Sequence, residues 1–171
     1  EKVLADVVWA IRKFQPDVII NRFDHRSPGT THGHHTASAM LSVESFNLTN
    51  NPSVYPEQLK YVQPWQAKRQ FFNTSWWFYG SQEKFNAADK TNLIAMQTGV
   101  DYPNIGKSNQ EIAALSRSSH QSQGFGSTGT RGEETEYLEF LNGERVPTNG
   151  SLFDGIDTSW NRVKGGKAIG E

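Results

Sequence analysis

The chain has 171 residues, with 17 Lys and Arg against 18 Asp and Glu, so its formal net charge is −1 at pH 7. That balance gives no support for binding nucleic acid or an anionic membrane surface, and no apolar run approaches the ~20 residues that span a bilayer. Cysteine is absent, which excludes thiol catalysis, disulfides and sulfur-rich metal sites. The length suits one domain with a sizeable core. Three Asn-x-Ser/Thr triplets, at Asn47, Asn73 and Asn149, read as chance in so polar a chain rather than as glycosylation sites.

Taken in chain order, Glu1-Lys2-Val3 runs straight into a helical pattern with no initiator or signal peptide ahead of it, so the chain reads as a piece of a longer protein. Val3, Leu4, Val7, Val8, Ile11 and Phe14 recur at helical spacing, predicting a helix over 2–14. Pro16 ends it by disfavouring helical geometry in the residue before it. Asp17 to Arg22 is an apolar strand of the kind covered on both faces. Helix, tight turn and buried strand predict a Rossmann-like α/β fold, a mainly parallel sheet flanked by helices. Its first strand is expected upstream of Glu1.

A loop over 23–31 turns at Pro28-Gly29 and leads to a helix over 33–47, with Ala37, Met40, Leu41 and Val43 as its inward stripe. Residues 49–66, broken by Pro52, Pro56 and Pro64, look irregular. Arg69 to Asn73 is a strand that Trp76-Trp77-Phe78-Tyr79 either extends or turns back on as a hairpin. That aromatic block is core or interface in one reading and a sugar-stacking surface in the other. Leu93 to Val100 is a further strand, followed by a turn at Tyr102-Pro103-Asn104. Ser108 and Glu111 form a capping box for a helix that reaches His120. Gly124 to Gly132 is glycine-rich but lacks the lysine and the strand-to-helix setting of a phosphate loop. Glu136 to Leu141 is the last strand, and a polar tail follows.

Four of the five histidines fall between His25 and His35, three of them in His32-Gly33-His34-His35. They follow a strand and a loop and open a helix, which is where open α/β sheets place their active sites. His32 and His35, three apart, share a helix face and can converge on one ion or substrate atom. Imidazole is the commonest zinc ligand and suits other first-row divalent metals. Catalytic zinc takes about three protein ligands and a water, so two histidines do not complete a site. Asp24 and Asp17 are the nearest carboxylates in sequence. The blander alternative is a solvated turn whose histidines cap a helix.

Around this cluster the text Arg12-Lys13-Phe14-Gln15-Pro16-Asp17-Val18-Ile19-Ile20, then His32 to His35 and Thr36-Ala37-Ser38-Ala39, resembles the PIG-L/LmbE-like N-acetylglucosaminyl deacetylases. Downstream, Lys107, Glu111 to Leu115 and His120-Gln121-Ser122-Gln123 are similar to that family's histidine-bearing helix. Pro64 to Arg69 and Ser122 to Gly126 look like the long Bacteroidetes members. The resemblance covers residues 2–135, implying that 1–135 form the C-terminal part of a deacetylase domain, with 136–171 as a last strand and polar tail leading out of it. The stretch from Phe153 to Asp157 and Trp160 to Arg162 also looks like those proteins, without an evident chemistry.

The resemblance implies zinc-dependent hydrolysis of the N-acetyl amide of an amino sugar. It makes His35 a zinc ligand, His32 the group that holds the oxyanion or protonates the leaving amine, and His120 a second catalytic histidine at the substrate end of the cleft. Asn73, Trp76 and Gln123 become candidate contacts to an N-acetylated sugar or glycoconjugate. His34 stands where the family has an aspartate. The family's Ala-His-Pro-Asp-Asp-Glu motif, with two zinc ligands and the general base, is not among these residues. It is expected upstream, supplied by a missing N-terminal segment or another chain that completes the sheet, so the 171 residues alone are expected to be inactive. The long relatives imply the periplasm or cell surface. Two alternatives stand beside this reading: a catalytically lapsed carbohydrate-binding relative, and a structural fragment of a larger assembly.

Overall fold

The computed structural model describes residues 2–123, 126–147, 150–162 and 165–168. Asn149, Gly124 and Phe125, with Lys164 and residues 169–171 of the tail, lie outside the described residues. Helix α1 (Lys2–Phe14) ends as Pro16 requires. Gln15 takes the left-handed φ of 56°, its amide still bonded to the Ile11 carbonyl at 2.8 Å. Strand β1 (Val18–Asn21) follows, then α2 (Gly33–Ser45), a 3-10 turn at Pro56–Lys60, β2 (Arg69–Thr74) and α3 (Trp76–Tyr79). Next come α4 (Gln82–Ala87), β3 (Leu93–Gln97), a short hairpin of β4 (Asp101–Tyr102) and β5 (Lys107–Ser108), α5 (Asn109–Ser118) and β6 (Thr135–Gly143). No helix among the described residues is long and apolar enough to cross a membrane.

The sheet has the order β1-β2-β6-β3. β1 pairs with β2 in parallel, while β6 is antiparallel to both β2 and β3. Three strands therefore run one way and β6 alone runs back, lying between β2 and β3. The α/β class with flanking helices stands; the parallel character is one of strand direction, and only one of the three ladders is itself parallel. Asn21, Thr74 and Gln97, the carboxyl ends of β1, β2 and β3, and Thr135, the amino end of β6, all lie at one edge of the sheet.

Side chains alternate across the pleat, which sorts the two faces. On one, Gln70 donates to the Ser42 carbonyl of α2 at 3.0 Å and the Ser42 hydroxyl donates to Asn21 at 2.6 Å. Phe72 meets Phe78 of α3 with ring centroids 4.7 Å apart, and Tyr137 meets Phe85 of α4 at 4.9 Å. On the other face Phe71 and Leu138 are buried with Leu152, and Val146 packs against them. β1 departs from the expectation of a strand covered on both faces. It is an edge strand, and Ile20 is 48% exposed on the helix-free face.

Two local expectations are corrected. The buried stripe of α2 is Thr36, Ala39 and Ser45, while Met40 is half exposed and Ala37 exposed. Small residues face the sheet because Ser42 must approach Gln70 and Asn21 closely enough to bond. The aromatic block is neither strand nor hairpin but the helical turn α3. The β2·β6 ladder stops at Thr74, so Phe78 and Tyr79 pack instead on Phe72 and on Phe85. Helix α4, which the sequence pattern did not suggest, is capped by the Ser81 hydroxyl accepting from the Lys84 amide at 3.2 Å.

Of the segment read as a polar tail, residues 150–155 lie against the amino end of β2. Arg69, itself buried, donates to the Leu152 and Asp154 carbonyls at 2.8 Å each, and Lys68 donates to the Gly155 carbonyl at 2.6 Å. Arg162 pairs with Asp17 ahead of β1. Gly143 ends β6 with φ of 91° where a Cβ would collide with the Lys68 and Arg69 backbone, so only glycine fits.

The capping box is present as read: the Ser108 hydroxyl accepts from the Glu111 amide at 3.1 Å and the Glu111 carboxylate accepts from the Ser108 amide at 2.8 Å. The Ser108 hydroxyl also donates to the Thr130 carbonyl at 2.7 Å. Replacing Ser108 by Ala is expected to cost about 1–2 kcal/mol in urea denaturation; an unchanged midpoint would show that the cap contributes nothing.

Candidate functional site

The loop between β1 and α2 is pinned before it reaches the histidines. Asp24 is buried and accepts from the Ser27 hydroxyl at 2.6 Å, from Arg26 Nε at 2.8 Å and from the Arg26 amide at 3.2 Å. Burial pushes the Asp24 carboxyl upward, but those hydrogen bonds outweigh it and hold it below the usual carboxylate range. The remaining arms of Arg26 form a bidentate pair with Glu139 of β6 at 2.8 and 2.7 Å. That pair raises the Arg26 pKa above its ordinary value. Tyr79 lies in the same field. Burial first, then Glu139, pushes its hydroxyl upward, so it stays a neutral phenol.

Fixed in this way, the loop presents Phe23 to the first turn of α2. The His35 ring stacks on Phe23 at 4.0 Å between centroids and 9° between planes. His34 meets His35 edge-on at 4.1 Å. His32 lies 5.4 Å from His35 and 5.7 Å from His34. Loss of water around the ring, then the charges of His34 and His32, push the His35 pKa below its ordinary value, favouring the neutral imidazole that ligates metals. His32 occupies the N-cap position, yet its side chain makes no capping hydrogen bond. Its carbonyl accepts the His35 and Thr36 amides at 2.9 and 3.3 Å, so the rings are spare rather than spent on capping.

The structure thus brings His32 and His35 together at the carboxyl edge and adds His34 to them. It places the other candidates in separate settings. Asn73 is engaged on both sides of its amide: Arg22 donates to its oxygen at 2.9 Å and its nitrogen donates to Glu136 at 2.7 Å. Trp76 opens α3 at the same edge with half its surface exposed. His120 follows α5, its Nδ1 2.8 Å from Gln123 Oε1.

Both proposed carboxylate partners have other roles. Asp24 is the anchor of the loop, and Asp17, paired with Arg162, lies ahead of β1 at the opposite edge. Sequence reasoning missed the charged framework of Arg22, Arg26, Glu136 and Glu139. Nothing local links Arg26 to a residue 113 positions away. It also passed over His25, whose Nδ1 is buried without a hydrogen-bond partner and lies 3.7 Å from Asp24.

Among the described residues no group of three or more His, Asp or Glu is arranged to hold a metal ion. Stacked rings 4–6 Å apart offer single imidazole donors, not a closed ligand set. These residues alone do not fit a zinc ion, which needs about three protein ligands.

No family model matches the chain, and no curated protein matches it. Among solved structures it is similar to the N,N'-diacetylchitobiose deacetylase from Pyrococcus horikoshii complexed with its inhibitor MPG. The likeness has 23% identity and a TM-score of 0.38, over 42% of this chain and 27% of that one. The chain spans about a quarter of that protein's length. At this level the likeness carries no argument, and the functional reading rests on the residues described above.

Proposed function

We propose that this chain carries one wall of the active site of a hydrolase that removes the acetyl group from an N-acetylated amino sugar or glycoconjugate. The observation that carries the reading is the gathering of His32, His34 and His35 at the carboxyl edge of the sheet. The two separated sequence resemblances lend it its chemistry. In this reading His35 would give one ligand to a Zn²⁺ whose other ligands come from outside the described residues, and the ion would supply a water acidic enough to ionise near neutral pH. His32 faces the reacting amide and donates a proton or hydrogen bond as charge develops on the carbonyl oxygen. Trp76 is the exposed sugar contact, while Asn73, Gln123 and His120 would exchange the hydrogen bonds they now make for contacts to the sugar. The protein works in the periplasm or at the cell surface.

Trp76 and Trp77, both about half exposed on α3, favour a second reading, in which the protein binds sugar without turning it over. Acetate release from an N-acetylglucosaminide separates the two. The whole protein, supplied with Zn²⁺, is expected to release acetate while the 171-residue chain alone releases none. Sugar binding by the whole protein without acetate supports the second reading. Turnover by the 171-residue chain would refute the shared site.

A further inference from the structure

On the sheet face opposite the helices, away from the histidine cluster, lies a cavity of about 570 Å³. Phe71, Ile94, Phe140 and Val146 form its apolar floor, and Lys90 and Arg145 reach it from the segments before β3 and after β6. None of the described residues that line it is acidic.

Both cations are held by neutral groups. Arg145 donates to the Asn92 side-chain oxygen at 2.8 Å and lies 4.6 Å over the Phe140 ring. Asn92 is fixed in turn by donating to the Phe140 carbonyl at 3.0 Å. Lys90 donates to the Asn86 carbonyl at 2.9 Å and lies 5.0 Å over Phe85. The nearby acids are engaged elsewhere. Asp89 takes the Thr91 amide and hydroxyl, Glu144 pairs with Lys68, and Asp154 takes the Ser151 amide. Arg26, Arg131 and Arg162 each have a carboxylate partner. Among the described residues Lys90 and Arg145 have none.

A planar guanidinium already seated on a ring and a neutral amide keeps donors for an incoming oxyanion and loses little freedom on binding it. An apolar floor beneath a guanidinium with no carboxylate partner selects a molecule that is anionic at one end and apolar at the other. We propose that this cavity binds a small organic anion. Its carboxylate or phosphate head meets Arg145, and its apolar body lies on Phe71, Ile94, Phe140 and Val146. This site stands independently of the hydrolase reading, since it uses none of the same residues.

Benzoate and phenyl phosphate, with neutral benzyl alcohol as control, are titrated into the 171-residue chain and followed by amide NMR shifts. Saturable shifts over residues 90–95 and 140–147 are expected with at least one anion and not with the alcohol. Benzoate alone identifies a carboxylate site; phenyl phosphate alone identifies a phosphate site. Arg145→Gln is expected to weaken binding about tenfold and Arg145→Glu to abolish it. Arg145 is exposed, so an unchanged melting temperature checks that the fold is kept. The proposal is overturned if neither anion saturates below about 10 mM. Binding of the alcohol as tight as that of the anions, or undiminished binding in Arg145→Glu, overturns it equally.

Discussion

Replacing Arg12 by alanine is expected to destabilise the chain by about 3–5 kcal/mol, a large part of the margin of a domain this size. Arg12 stands in the last turn of α1 and is 1% exposed. Its guanidinium donates to the Thr49, Asn51 and Val54 carbonyls at 3.0, 2.8 and 2.9 Å and to Gln58 Oε1 at 3.0 Å, with longer contacts to the Leu48 and Tyr55 carbonyls. Gln58 ties the same turn back to α1 through the Ala5 carbonyl at 2.8 Å. Burial pulls the Arg12 pKa down, with Glu57 opposing it, and an arginine remains charged in any case. The segment 48–58 has little repetitive structure of its own, so this one cation supplies donors that a helix or ladder supplies elsewhere. Alanine would remove one donor from each of those carbonyls; Thr49 and Asn51 keep the Trp65 and Val54 amides, whereas the Val54 carbonyl loses its side-chain donor at about 1–3 kcal/mol unless water enters. Lysine, with three donors and no planar fork, is expected to recover only part of the loss. Urea denaturation gives the magnitude, and hydrogen exchange is expected to show 48–62 opening first. A loss below about 1 kcal/mol would mean that the segment holds itself.

Arg12 also shows where sequence reasoning stops. As a basic residue near a helix C-terminus it looks like an ordinary surface cation, and residues 49–66 look irregular because several of their carbonyls are bound by one side chain 37 or more positions away. Periodicity reports local repetition. It therefore recovered α1, α2, β2 and α5 closely, since each has a periodic or capped pattern of its own. It misplaced Trp76 to Tyr79, because aromatic residues favour strands only where a ladder continues beneath them, and β6 pairs no further than Thr74. The inward stripe of α2 failed for a related reason. Hydrophobicity points to Met40, but the contact with the sheet is made by Ser42 bonding to Gln70 and Asn21. For the site, the spacing of His32 and His35 was legible as a shared helix face. The Phe23 stack, the Arg26–Glu139 clamp and the engagement of Asn73 by Arg22 and Glu136 were not, since each joins residues that only the sheet brings together.

On the proposed reading, His35→Ala in the whole protein is expected to remove bound zinc and bring acetate release to background, whereas His32→Ala keeps the metal and lowers turnover about 10²–10³-fold. The different outcomes follow from the different settings of the two rings. His35 is half-buried, stacked on Phe23 and biased toward the neutral form, a rigid and unprotonated donor of the kind a metal site requires. His32 is exposed, makes no capping bond and its ring lies 5.4 Å from that of His35, free to take the proposed role of proton or hydrogen-bond donor. Phe23→Ala tests the support rather than the ligand: losing the stack is expected to weaken zinc retention about tenfold while leaving both imidazoles present. Metal content by elemental analysis and acetate release, measured on the same preparations, separate these roles. Full metal in His35→Ala would take that ring out of the ligand set. Activity within a few-fold of normal in His32→Ala would leave it a helix-terminal residue only. Loss of zinc in both variants would instead make the two imidazoles joint ligands, and the proton donor would then have to be sought at His34 or His120.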